Sequence, residues 1–128
     1  MAVHFMTALA CFREKASSDL LAETVRTNPV VVRRLLSELN RAGLIRSERG
    51  KNGGSALARV ANDITLFDIY RTVMGNTELV NLHDNPENRG CAMSCKVRGV
   101  LSQYLQKAQS LYESELANVS LADIANEM

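Results

Sequence analysis

Apolar residues recur at spacings of three and four along most of this chain, and that period predicts a mainly helical protein. A first helix is expected over Ala2–Lys15, with Val3, Met6, Leu9 and Ala10 on one face. Ser17 or Ser18 can cap a second, from Asp19 to Val25, whose Leu20, Leu21 and Val25 would turn inward. Thr27-Asn28-Pro29 is a turn that opens a third helix. Asn28 suits the cap, and Pro29 suits the first helical position because it has no N–H to waste. Leu35, Leu36, Leu39 and Ala42 form its inner stripe, and Gly43 stands where a left-handed stop is wanted.

The period then changes. Ile45–Arg49 and Ala56–Val60 read as two strands joined by Gly50-Lys51-Asn52-Gly53-Gly54, a run rich in residues that accept positive φ. Thr65 and Asp68 have the spacing of a capping box, so a helix should run to about Met74 and stop at Gly75. Residues 76–94 lack a sustained period and read as a loop. From Cys95 to Val119 helical spacing returns in Val100, Leu101, Tyr104, Leu105, Ala108, Leu111, Tyr112 and Leu116. So long an apolar stripe exceeds what one small domain can cover, and a second copy of the chain is the simplest cover. Ser120 and Asp123 repeat the capping-box spacing before a short last helix over Leu121, Ile124 and Ala125.

The order helix, turn, helix, basic hairpin is that of a winged helix-turn-helix, in which the later helix enters the major groove and the hairpin reaches the adjacent backbone. The expected fold is therefore mainly α with a small β-hairpin (α+β), ending in a long dimerisation helix. Its parts would be a DNA-binding domain over 1–75, a cysteine-bearing sensor loop over 76–94, and dimerisation and terminal helices over 95–128.

Charge sharpens this picture. The net charge is +1, but residues 13–59 hold ten Lys/Arg against five Asp/Glu, while residues 60–128 hold five against nine. A basic first half suits a polyanion. Arg33 and Arg34 lie near the start of the third helix, where such motifs meet base edges, and arginine can bond guanine through two hydrogen bonds. Arg46, Arg49 and Lys51 bracket the hairpin glycines, which allow close approach of backbone to DNA. The bland alternative, solvated charges on ordinary surfaces, applies to each of these residues taken singly. A winged-helix protein-interaction adaptor without DNA binding is a further alternative, permitted by the acidic second half.

Other classes are poorly served. No apolar run reaches the roughly 20 residues of a membrane span. The N-terminus has no basic leader, so it reads as a helix of a cytoplasmic protein. No nucleophile elbow, phosphate loop or standard metal spacing is present, and His4 and His83 stand apart, so an enzyme is not expected.

The segment TNPVVVRRLLSELNRAGLIRSERGKNGGSALAR, followed by ITLFDIYRTVMG, resembles the Rrf2 (Rrf-two) family of bacterial winged-helix transcription regulators, which includes IscR, NsrR and CymR. The resemblance extends over nearly the whole chain. It implies a homodimer, most simply a repressor, on near-palindromic double-stranded operator DNA. The family's recognition-helix positions fall on Asn28, Val30, Arg33 and Arg34, and its wing positions on Arg49, Gly50, Lys51, Gly53, Gly54 and Ser55. Asn52 departs from the glycine or alanine common there, although Asn tolerates left-handed backbone.

The chain has three cysteines, Cys11, Cys91 and Cys95. Cluster-binding members of the family use three cysteines near the sensor loop with a fourth, non-cysteine ligand. Here only Cys91 and Cys95 lie there, so the ligand set for an iron–sulfur cluster is incomplete unless Cys11, His83, Asp84 or a partner residue contributes. Zinc meets the same shortage. A thiol switch is the other functional reading, because Arg89, Lys96 and Arg98 flank the pair and cations favour thiolates. Cys11 reads as core filler of the first helix, although some redox-sensing relatives place a cysteine there.

Overall fold

The computed structural model describes residues 1–12, 15–50, 52–80 and 92–128. Six helices and one hairpin follow in the order α1 (Ala2–Cys11), α2 (Ser18–Val25), α3 (Pro29–Arg41), β1 (Ile45–Glu48), β2 (Gly54–Leu57), α4 (Leu66–Met74), α5 (Ala92–Asn118) and α6 (Leu121–Asn126). A single 3₁₀ turn, Ala61–Asp63, links the hairpin to α4. Among the described residues no helix is long and apolar enough to cross a membrane.

The local signals act as expected at most helix ends. Ser17 accepts the Leu20 N–H at 3.2 Å, and Asn28 accepts the Val30 N–H at 2.9 Å. Thr65 and Asp68 exchange both bonds of a capping box, as do Ser120 and Asp123. Gly43 takes the left-handed conformation, φ 71°, just beyond α3, and the chain returns with Leu44 N–H bonded to Leu39 C=O.

The first helix is shorter than its period predicts. It ends at Cys11, and Phe12 turns extended. The reason is non-local: Ala16 pairs with Ser55 through two backbone bonds of 2.8–2.9 Å, which adds a strand-like segment to the hairpin. The hairpin register runs from Ile45 opposite Leu57 to Glu48 opposite Gly54. The second strand therefore starts two residues before the predicted Ala56.

The core gathers Phe5, Met6 and Leu9 of α1, Leu21 of α2, Val32, Leu35, Leu36 and Leu39 of α3, Ile45, Ile64 and Ile69, and Leu121 of α6. Four residues expected to face inward do not. Val3 and Leu20 are exposed, because Phe5 and Leu21 occupy the inward positions of their helices. Cys11 is exposed, not core filler: two residues beyond the buried Leu9, it points about 200° away around the helix. Ala42 is also exposed, while Val32 joins the stripe.

The far end of the chain closes this core. Leu121 N–H bonds Ile64 C=O at 2.7 Å and Leu66 N–H bonds Val119 C=O at 2.9 Å, so α6 lies against α1 and the base of α4. Between them α5 runs 27 residues, about 40 Å at 1.5 Å per residue. Its inner side meets α4, where Tyr70 and Tyr112 stack edge to face at 5.5 Å. Leu105 also turns inward, toward residues 78–80. Leu105, half-buried, is therefore off the open stripe expected for it, while Tyr112 stays exposed at its edge. That stripe runs through Met93, Val97, Val100, Leu101, Tyr104 and Leu111, all exposed. Met93 and Val97 lengthen it by a turn that the sequence reading missed, because α5 begins at Ala92 and includes Cys95.

Candidate nucleic-acid interface

α3 is divided cleanly. Val32, Leu35, Leu36 and Leu39 face the core, so Val30, Arg33, Arg34, Ser37 and Arg41 are left on the outside. Between this outer face and the hairpin lies an open groove of about 510 Å³. Arg33, Arg49, Gly50, Gly53 and Gly54 line it, so recognition-helix and wing positions expected from the sequence meet on one surface. Ser17, Ser18, Ser37, Asn40 and Ser47 also line it and were not singled out beforehand. Ser37 and Asn40 follow Arg33 by four and seven residues, the same-face spacing of a helix, and that signal was available in the sequence.

Not every expected contact residue is offered outward to the same degree. Ser55 lines the groove too, but its side chain is only 3% exposed, with its hydroxyl 2.9 Å from that of Ser47 and its backbone paired to Ala16. It holds the wing together. Asn28 spends its amide oxygen on the α3 cap, which leaves its amide N–H groups for an outside partner. Arg34 is 84% exposed and leans on Glu38 at 3.3 Å, an i,i+4 pair that aims the guanidinium along the outer face. Lys51 lies outside the described residues.

The wing is clamped from two sides. Ser47 N–H donates to Asn40 Oδ1 of α3 at 3.2 Å, and Lys15 forms an ion pair with Glu48. At the tip Gly53 is required sterically: a Cβ there would run into the Glu48 carbonyl and sit 2.9 Å from the Gly50 oxygen. Asn52 is not asked for left-handed backbone, because Arg26 is the one non-glycine with positive φ among the described residues. Arg26 (φ 50°) makes the turn between α2 and α3, where its N–H bonds the α2 carbonyls of Ala22 and Glu23.

A helix-turn-helix with its outer helix face bordering a clamped glycine wing is a surface shaped for duplex DNA. A family model described as "Rrf2: Iron-dependent Transcriptional regulator" matches residues 1–127. The chain belongs to the Rrf2 family. It is 38% identical over 128 residues to the "Putative HTH-type transcriptional regulator YwnA" of Bacillus subtilis (strain 168), covering 100% of this chain and 94% of that one. It superposes on the solved structure of T. potens IscR with a TM-score of 0.74 at 26% identity, covering 98% of this chain and 81% of that one. It superposes on the oxidized form of Staphylococcus aureus CymR with a TM-score of 0.69 at 25% identity, covering 97% and 89%. The winged-helix fold and the placing among transcriptional regulators both follow from these matches.

Because the Rrf2 description names iron, the donor residues need a test. Among the described residues no three His, Cys, Asp or Glu side chains are grouped to hold a metal ion. Cys95 is exposed in the first turn of α5, and Cys11 ends α1. Cys91, His83, Asp84 and Arg89 fall outside the described residues, as does most of the expected sensor loop. The described donors do not fit an iron–sulfur cluster, which takes four ligands.

Proposed function

We propose that this Rrf2 protein is a sequence-specific regulator that binds operator DNA as a homodimer and represses, with a thiol input at Cys91 and Cys95. The observation that carries the reading is the groove in which Arg33 of α3 faces Arg49 and the glycines of the wing. Arg33 and Arg34 are the base-reading candidates, and Val30, exposed at the start of α3, suits a thymine methyl. Arg49, Lys51 and the wing glycines are the backbone contacts.

The homodimer is supported by the uncovered stripe of α5. Two such helices side by side would bury apolar surface that one chain leaves in water, and would set two winged units at a fixed spacing for two half-sites. Oxidation joining Cys91 to Cys95 would remove two electrons and two protons, reducing a peroxide to water. Such a change at the head of α5 would tilt the helix that pairs the two winged units. The name of the oxidized CymR relative supports a redox input, and the word "iron" in the family description supports the competing cluster reading.

Fluorescence anisotropy on a labelled duplex from the protein's own promoter tests the DNA reading. Arg33→Ala and Arg49→Ala should each cost about 1–3 kcal/mol of binding, and affinity should fall steeply with salt as counterions are released. Unchanged affinity in both variants would remove the groove as the DNA site. An absorbance spectrum with iron counted on protein purified without oxygen separates the cluster from the thiol pair. Comparing DNA binding before and after peroxide then tests the switch.

A further inference from the structure

A second cavity, of about 220 Å³, lies between residues 78–80 and α5, away from the DNA groove. We propose that it is a binding site for a small zwitterion of the α-amino-acid class with an apolar side chain. The inference goes beyond the regulator reading and stands whether or not the chain binds DNA.

Three observations carry it. The first is how the cavity is formed. Residues 78–80 are strapped to α5 by the Leu79 N–H, which donates to Gln109 Oε1 at 2.9 Å, while Gln109 Nε2 donates onward to Glu113 at 2.6 Å. The strap leaves a space beside α5 that no side chain of the described residues fills. The second is the chemistry of the walls. Among the described residues their charged side chains are one cation, Arg98 on α5, and one anion, Glu78 on the strap. Ser102 and Gln106 add a hydroxyl and an amide, and Leu79 and Leu105 supply apolar surface. One carboxylate and one ammonium on a short apolar body match that set. A guanidinium has five N–H donors, so Arg98 can take a carboxylate while keeping another partner. A phosphate or other simple anion would face Glu78, and a bare hydrocarbon would strip water from both charges without replacing it.

The third observation is size and place. Drug-sized ligands occupy roughly 300–1,000 Å³, so this cavity suits a smaller metabolite. Arg98, Ser102, Leu105 and Gln109 share one face of α5 by their spacing of four, three and four. The open stripe of Val97, Val100, Tyr104 and Leu111 lies on another face. A second chain covering the stripe therefore meets a different face of α5 from the one that lines this cavity. Cys95 lies one turn before Arg98 on the cavity's face, so a ligand here would sit beside the cysteine-bearing end of the helix.

Isothermal titration calorimetry of the full chain with leucine, valine and methionine tests the assignment, with isocaproate (no ammonium) and isoamylamine (no carboxylate) as truncated probes. Saturable binding of at least one amino acid is expected at one per chain, with both truncated probes about tenfold weaker or worse. Arg98→Gln should weaken the amino acid by a similar factor. Glu78→Gln should weaken it while leaving isocaproate unchanged or improved. Circular dichroism melts confirm that both variants fold. Absence of saturable binding for all three amino acids, binding that survives both substitutions, or isocaproate binding as tightly as leucine would each overturn the proposal.

Discussion

α3 and α5 are both amphipathic, yet α3 hides its apolar face inside its own chain and α5 leaves its own stripe in water. Val32, Leu35, Leu36 and Leu39 of α3 are buried, and α3 packs against α2, α4 and the hairpin base. On α5, Met93, Tyr104 and Leu111 are 70%, 69% and 64% exposed. The difference teaches what each region is for. The core of the winged unit is completed within one chain, with α6 closing it, so its outer, polar face can be specialised for a ligand without risk to the core. The α5 stripe is unfinished in one chain, and its natural completion is the homodimer proposed above.

Removing core side chains should have the largest effect. Leu39→Ala and Leu121→Ala should each destabilise by about 2–5 kcal/mol in urea unfolding, because both are fully buried. Equal costs at these two positions would show that α6 belongs to the winged unit. A small cost at Leu121 would return α6 to α5. The complementary substitution is Tyr104→Asp with Leu111→Asp on the open stripe. It should leave unfolding of the monomer nearly unchanged but raise the dimer dissociation constant at least about a hundredfold, since burying two charges is unfavourable. Light scattering reads this directly, and a double variant that stayed dimeric would place the subunit contact elsewhere.

Asn40→Ala should have a smaller effect, about 0.5–1.5 kcal/mol on stability through its bond to Ser47. Its larger consequence should be on DNA affinity, because it fixes the wing angle relative to α3. If both readouts moved equally, Asn40 would be only a structural tie. The smallest change is expected at the α6 cap. Ser120 holds the Asp123 carboxyl below its ordinary value of 3.8, first by its side-chain hydroxyl and then by its backbone N–H, both bonded to Oδ2. The folded value being the lower one, this contribution is present above pH 3.8 and is lost as pH falls through the folded value. Ser120→Ala should therefore lower the melting temperature near neutrality, with the gap narrowing below pH 3.8 to the part left by the Ser120 hydroxyl's cap on the Asp123 N–H. A gap independent of pH would mean that the carboxylate takes no part.

Local chemistry was readable from the sequence, wherever a signal and its consequence lie within a few residues. The caps at Ser17, Asn28, Thr65 and Ser120, the stop at Gly43 and the glycine hairpin were all legible. The family resemblance was equally legible, because the NPVVVRR, RGKNGG and ITLFDIY segments stand in one order. The candidate groove was half legible. Arg33 and Arg49 were found by residue type and motif position, and Ser37 and Asn40 could have been found by helical spacing, but Ser17, Ser18 and Ser47 reach it only because the chain folds them there. The burial of Ser55 was not legible, since nothing local reveals that Ala16 will pair with it.

Sequence by itself thus determined the helical periods, their caps, the winged order of elements and the placing of basic charge in the first half, all set by neighbours along the chain. Tertiary structure alone decided that α1 stops at Cys11 to let Ala16 join the hairpin, that α6 returns to seal α1, that Leu105 turns toward the 78–80 strap and that Tyr112 meets Tyr70. Each of those outcomes joins residues tens of positions apart, and an amphipathic period states only that a face is buried, not what buries it.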